Sequence, residues 1–150
     1  MDRVFLDANI LFSAAWFRES GMRRLWRMTG VLLLTSEYAA AEARKNLDSA
    51  KRLSDLERLL EGVTVLPQPE AAMPAEARPL PVKDRPILAA AVHARATHLL
   101  TGDFMHFGPF FGKKIRGVEV LAFAQYLESR RLRGLDSPGV SGRSRKPRAR

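Results

Sequence analysis

The chain has 150 residues, 46% of them hydrophobic and 27% charged, which suits one soluble domain with a sizeable core. It has no cysteine, and this excludes disulfide frameworks, thiolate nucleophiles and cysteine-ligated zinc. Lys and Arg number 25 against 16 acids, a formal net charge of +9 that points to a polyanionic partner such as nucleic acid or an anionic surface.

Part of that charge is terminal. Residues 134–150 hold Arg143, Arg145, Lys146, Arg148 and Arg150 against Asp136 alone, which still leaves residues 1–133 at a net +5. The division expected is a folded body over 1–133 and a basic, disordered tail over 134–150, since the tail has no apolar period. The N-terminus lacks the pattern of a secretory signal, and no apolar run approaches the roughly 20 residues of a membrane span. The expectation is a cytoplasmic protein with no membrane partner.

In chain order, Arg3–Leu6 is a short apolar strand that stops at Asp7, and Ala8–Phe17 follows as a helix. Ser20 caps a second helix that Gly30 ends. Val31–Thr35 is a continuous apolar run of strand length, as expected of a strand buried on both faces of a parallel sheet. Ser36 caps a helix running through Glu42 towards Leu47, and Leu53, Leu56, Leu59 and Leu60 form a stripe on a helix over about residues 50–61. Val63–Leu66 is a third strand. Six of the nine prolines then fall between Pro67 and Pro86, which predicts an extended loop. Asp84-Arg85-Pro86 opens the next helix, with Asp84 as cap and Pro86 in its first turn. His98–Thr101 and Val118–Leu121 are the fourth and fifth strands, and a final amphipathic helix covers about residues 122–132.

Strands separated by helices predict an α/β fold, with helices on both faces of a parallel sheet of roughly five strands. Ligands in such folds gather beyond the carboxyl ends of the strands. Asp7 follows the first strand directly and Asp103 follows the fourth, while Asp84 begins the helix leading into that fourth strand. Glu42 lies on the helix after the second strand. Each acid alone has a plain reading as a turn, cap or solvated residue. Their joint placement at one sheet edge is the stronger signal. Gathered carboxylates repel one another, and a divalent cation removes that penalty. Oxygen ligands without cysteine or clustered histidine select magnesium or manganese over zinc. An acidic centre within a basic body suits hydrolysis of a polyanion, whose phosphates the cations hold.

Val4-Phe5-Leu6-Asp7-Ala8-Asn9-Ile10-Leu11, Glu42 after Thr35-Ser36, Asp84 before Ile87-Leu88-Ala89-Ala90-Ala91, and Thr101-Gly102-Asp103 together resemble the PIN domain in both order and spacing over about residues 1–130. The stretch from Gly102 to Gly108, continuing to Gly117-Val118, resembles one bacterial branch of that family. The resemblance implies a three-layer α/β/α sandwich and a magnesium- or manganese-dependent endoribonuclease that hydrolyses phosphodiester bonds. It implies that Asp7, Glu42, Asp84 and Asp103 form the acidic metal site, with Asn9 and Thr101 as supporting polar residues. Many small bacterial members are VapC-type toxins, which implies a type II toxin–antitoxin role, an RNA substrate, a cognate antitoxin and a homodimer.

His106 reads as a structural loop histidine in preference to a phosphate contact, and Phe104, Phe107, Phe110 and Phe111 as a hydrophobic loop packed on the domain or on a second subunit. Two other functions compete. A non-catalytic RNA-binding or assembly module would keep the fold without chemistry, although an unfilled acidic cleft disfavours phosphate. A phosphatase of the haloacid-dehalogenase type also starts from an Asp after the first strand, but it needs a second acid two residues on, where Asn9 stands.

Overall fold

The computed structural model describes residues 1–136; the tail expected over 134–150 therefore lies outside the described residues from 137 onward. Six strands form one sheet: β1 (Asp2–Leu6), β2 (Val31–Ser36), β3 (Thr64–Leu66), β4 (His98–Leu100), β5 (Lys114–Ile115) and β6 (Val118–Leu121). Their spatial order is β3-β2-β1-β4-β6-β5. All neighbours are parallel except β5, which pairs antiparallel with β6 at the edge. The expected five strands are all present. The sixth, β5, has only two residues, too few to show a period in sequence.

Six helices complete the layers: α1 (Ala8–Trp16), α2 (Glu37–Asn46), α3 (Ala50–Leu60), α4 (Arg85–His93), the single turn α5 (Phe104–Phe107) and α6 (Phe123–Leu132). The second predicted helix is instead a 3-10 segment, Gly21–Arg27, although Ser20 does cap it through the amide of Met22. Its one buried side chain is Leu25, so it lacks the apolar stripe that sustains an α-helix through packing.

Apolar runs in β1, β2 and β4 feed two separate cores by simple alternation. Val4, Leu6, Leu33 and Leu100 pack with α1, α3 and Tyr126 of α6 on one face. Phe5, Leu34 and Leu99 pack with α4, Phe107 and Phe110 on the other. Both faces are covered, which is why these strands read as unbroken hydrophobic runs.

The chain runs outward from β1 through β2 to β3, then returns to lay β4 on the other side of β1. The boundary between β1 and β4 is thus a topological switch point, where a crevice opens beyond the strand ends. Leu6 is in register with Leu100, so the residues after them, Asp7 and Thr101, emerge side by side. The Asp7 amide donates to the Leu100 carbonyl at 3.0 Å and fixes that adjacency.

A candidate metal centre at the switch point

Asp7 directly follows β1 and caps α1, its Oδ1 accepting from the Ala8 amide at 2.6 Å. Its Oδ2 accepts from the Thr101 hydroxyl at 2.8 Å and from Asn9 Nδ2 at 3.2 Å. Thr101 Oγ1 in turn accepts from the Asp103 amide at 3.1 Å, and Asn9 Oδ1 from the Gly102 amide at 2.7 Å. Asn9 and Thr101 therefore tie the loop after β1 to the loop after β4.

Glu42 reaches the same crevice from α2. Ser36 caps that helix through the Ala39 amide, and Thr35 Oγ1 anchors the strand before it to the Leu6 carbonyl at 2.8 Å. With the helix start fixed, Tyr38, Glu42 and Asn46 recur every four residues on one face and all line the cleft, while Ala39, Ala40 and Ala43 face the cores. The Tyr38 hydroxyl donates to the Lys83 carbonyl and ties α2 to the segment that presents Asp84.

Asp84 stands at the start of α4, but its side chain makes no capping hydrogen bond, which corrects the capping expectation. Pro86 in the first turn already removes one of the orphan amide donors that a cap would serve. The carboxylate instead faces the cleft. Asp103 caps the short turn α5, its Oδ1 accepting from the His106 amide at 3.0 Å. This folds the His106 ring back, with Nδ1 at 2.7 Å from Asp103 Oδ2 and 2.9 Å from Asp84 Oδ2. A ring nitrogen carries at most one proton, and the hydrogen-bond geometry favours Asp103. Asp84 Oδ2 is left buried without a well-directed hydrogen bond.

The resulting cleft has a volume of about 490 Å³, and Asp7, Asn9, Glu42, Asp84 and Asp103 all line it. All four acids named from the sequence thus meet in one place. Lys83 is the one cation among the lining residues, so negative charge dominates. Burial pushes the Asp7 carboxyl up to about 6; the Thr101 and Ala8 hydrogen bonds oppose this, and the nearby Asp84 and Asp103 charges add to it. Burial also raises Asp84, with Lys83 and His106 opposing and Asp103 adding. The Tyr38 hydroxyl is raised by burial and by the charges of Glu42, Asp84 and Asp7.

These features fit a hard divalent cation. The donor set is mainly carboxylate oxygen, one buried oxygen lacks a well-directed hydrogen bond, and two carboxyls are held above their ordinary range, chiefly by burial. Among the described residues, Asp84, Asp103 and His106 offer ligand atoms within 4.8 Å of one another. Asp7 differs: its Oδ2 already serves two protein donors, and its Oδ1 retains one acceptor site beside the Ala8 amide.

His106 and Tyr38 were missed as site residues by sequence reasoning. The signal for His106 was its position three after a helix-capping Asp, which places the two side chains together. Tyr38 carried the matching signal of lying four residues before Glu42. Of the four loop phenylalanines, Phe107 and Phe110 are buried as expected, whereas Phe104 is largely exposed and stacks on Phe111 with ring centroids 5.0 Å apart.

Among proteins of known family, residues 3–105 match the PIN domain. No curated protein matches the sequence. Among solved structures, the chain is similar to one in the Rickettsia felis VapBC2 complex bound to a DNA fragment from their promoter, at 14% identity, with 81% of this chain and 98% of that chain covered and a TM-score of 0.57. It is also similar to Mycobacterium tuberculosis VapC20, described as a Sarcin-Ricin loop cleaving toxin, at 15% identity, covering 67% of this chain and 92% of that one, with a TM-score of 0.47.

Proposed function

The chain belongs to the PIN domain family, and on that premise we propose that it is a divalent-metal-dependent endoribonuclease, the toxin of a type II toxin–antitoxin pair. The observation that carries the reading is the convergence of Asp7, Glu42, Asp84 and Asp103 in one cleft at the switch point, with a buried carboxylate oxygen of Asp84 lacking a well-directed hydrogen bond. The toxin assignment rests on family membership and on the fold shared with a chain of the VapBC2 complex. With it come a cognate antitoxin that covers the cleft and a homodimer as the resting assembly.

In this reading Asp7, Glu42, Asp84 and Asp103 hold Mg2+ or Mn2+. The ion, when bound, neutralises charge at the scissile phosphate and lowers the pKa of water for in-line attack. The chain's own contribution is positioning. Asn9 and Thr101 fix the Asp7 carboxylate through hydrogen bonds to Oδ2, so it meets the substrate without reorganising. Tyr38 locks the backbone of Lys83, whose ammonium contacts the phosphate from the cleft wall. Residues 1–133 form the nuclease domain, and the basic tail adds nonspecific attraction for RNA.

The test is cleavage of a mixed-sequence RNA by the wild type and by Asp7→Asn, each with Mg2+, Mn2+ or a chelator. Cleavage lost both with chelator and with the substitution is the expected result. RNA binding without cleavage in either metal would instead establish the non-catalytic module, and equal cleavage by both proteins would remove Asp7 from the site.

A further inference from the structure

We propose that His106 is itself a ligand of this metal centre, through Nδ1, and that its nitrogen makes the site prefer Mn2+ over Mg2+. The inference rests on the metal-dependent reading above and deepens it, because the acidic quartet alone gives no reason to favour one ion.

The geometry is set by two short pieces of chain. Asp103 caps α5 and accepts from the His106 amide, which fixes the backbone from which the ring projects. Asp84 arrives independently, at the start of α4, and uses none of its acceptor capacity on its own helix. His106 Nδ1 consequently lies 2.7 Å from one carboxylate oxygen and 2.9 Å from another that belongs to a different element. Neighbouring ligand atoms around an octahedral ion with bonds of about 2.1 Å stand about 3.0 Å apart. The nitrogen-to-oxygen separations already present are within a few tenths of an ångström of that spacing.

A proton on Nδ1 cannot satisfy this arrangement. It is directed at Asp103 Oδ2, so Asp84 Oδ2, buried 2.9 Å from the same nitrogen, has no well-directed hydrogen bond. A cation in its place is shared by both oxygens and by the nitrogen lone pair. With an ion on Nδ1, the ring would carry its proton on Nε2 instead. One imidazole and two carboxylates form a mixed donor set. Mg2+ takes oxygen ligands almost exclusively, whereas first-row transition ions accept imidazole readily. The remaining histidines do not compete for the role. His98 lies at the opposite end of β4 against Tyr126, and His93 lies in the last turn of α4.

The test is pulsed electron paramagnetic resonance on the full chain loaded with Mn2+, in natural-abundance and 15N-histidine-labelled forms, beside Mn2+ and Mg2+ titrations of wild type and His106→Asn. The expected result is a 14N modulation that converts to the 15N pattern on labelling and is lost in the variant. The variant's Mn2+ affinity should fall about ten- to a hundredfold, with Mg2+ affinity changing less than about threefold. Bound Mn2+ without nitrogen coupling overturns the inference while leaving the carboxylate centre standing. Mn2+ that stays entirely in its free six-line form overturns the metal reading and this inference together. The labelled wild type decides the question even if His106→Asn fails to fold.

Discussion

Strand β1 begins on Asp2 and is followed directly by Asp7, both buried, and the two carboxylates are treated in opposite ways. Asp2 accepts a bidentate pair of bonds from Arg133 at 3.0 and 2.9 Å, and a third from the Tyr126 hydroxyl at 2.7 Å. Arg130, itself buried, stands 3.7 Å from Asp2 and is satisfied by Asp136, by the Tyr126 hydroxyl and by the Thr29 carbonyl. Burial raises the Asp2 carboxyl, but the Arg133 and Tyr126 bonds, aided by His98 and Arg133 charge, overcome it and hold the group at about 2. At the other end of the same strand, burial and neighbouring acids hold Asp7 at about 6. The amino end of the sheet compensates every charge it buries, and the carboxyl end withholds the compensation. That contrast is what a structural network at one end and the proposed metal site at the other would produce.

The largest effect expected is at Asp7. Asp7→Asn should reduce RNA cleavage by about a hundredfold or more, as removal of a metal-site carboxylate does. The same change should stabilise the metal-free protein. Between pH 3.8 and about 6 the folded state keeps a proton that the unfolded state has lost, so wild-type stability declines as pH rises through that window and stays lower above it. The raised value corresponds to at most about 3 kcal/mol, and an isosteric amide should recover about 1–2 kcal/mol at pH 7.5. The gain should vanish near pH 4. Urea melts of both proteins at the two pH values check this, and a destabilised variant at pH 7.5 would break the contrast between the two ends.

The next effect has the opposite sign. Asp2→Asn should destabilise the fold by about 2–3 kcal/mol at pH 7, because it leaves Arg130 and Arg133 short of a counter-charge. Here the folded carboxyl lies below its unfolded value, so its contribution is fully present above about pH 4 and is lost as pH falls towards 2. Urea melts across pH 2 to 7 should show wild type and variant converging at the acid end. A difference that persists unchanged at pH 2 would assign the loss to packing instead of charge. RNA cleavage at 25 °C should change little, since Asp2 lies a full strand away from the cleft.

The two ends were not equally legible in sequence. The cleft acids were found because a parallel sheet directs attention to strand ends, and Asp7 and Asp103 stand there in the chain itself. Glu42 could be placed because Ser36 fixes the start of α2. The Asp2 network escaped notice because its partners, Arg130 and Arg133, are more than 120 residues away and look like ordinary helix-end cations. Asp84 does line the cleft, but its reading as a helix cap failed: with Pro86 in the first turn, the carboxylate is freed for the cleft. The 3-10 segment Gly21–Arg27 and the edge strand β5 were illegible for lack of length and period.

The smallest effect tests what holds Asp7 ionisable in a buried site that disfavours its charge, and Thr101→Val isolates it. Thr101 is fully buried, so no water can take over from its hydroxyl. Valine keeps the shape and removes one donor to Asp7 Oδ2 together with the acceptor for the Asp103 amide. The hydroxyl favours ionised Asp7, so its loss should push that carboxyl further above 6, measured by 13C titration of the Asp7 side chain. Stability should fall by about 1–2 kcal/mol at pH 7.5. It should fall by less at pH 5, where Asp7 is already largely protonated and needs the donor less. Cleavage should drop about tenfold, as for loss of a group that orients a metal ligand. If the Asp7 titration does not move, Thr101 acts only as a spacer between β1 and β4. The Ala8 amide and Asn9 would then carry the whole task of keeping an ionisable group in a site that disfavours its charge.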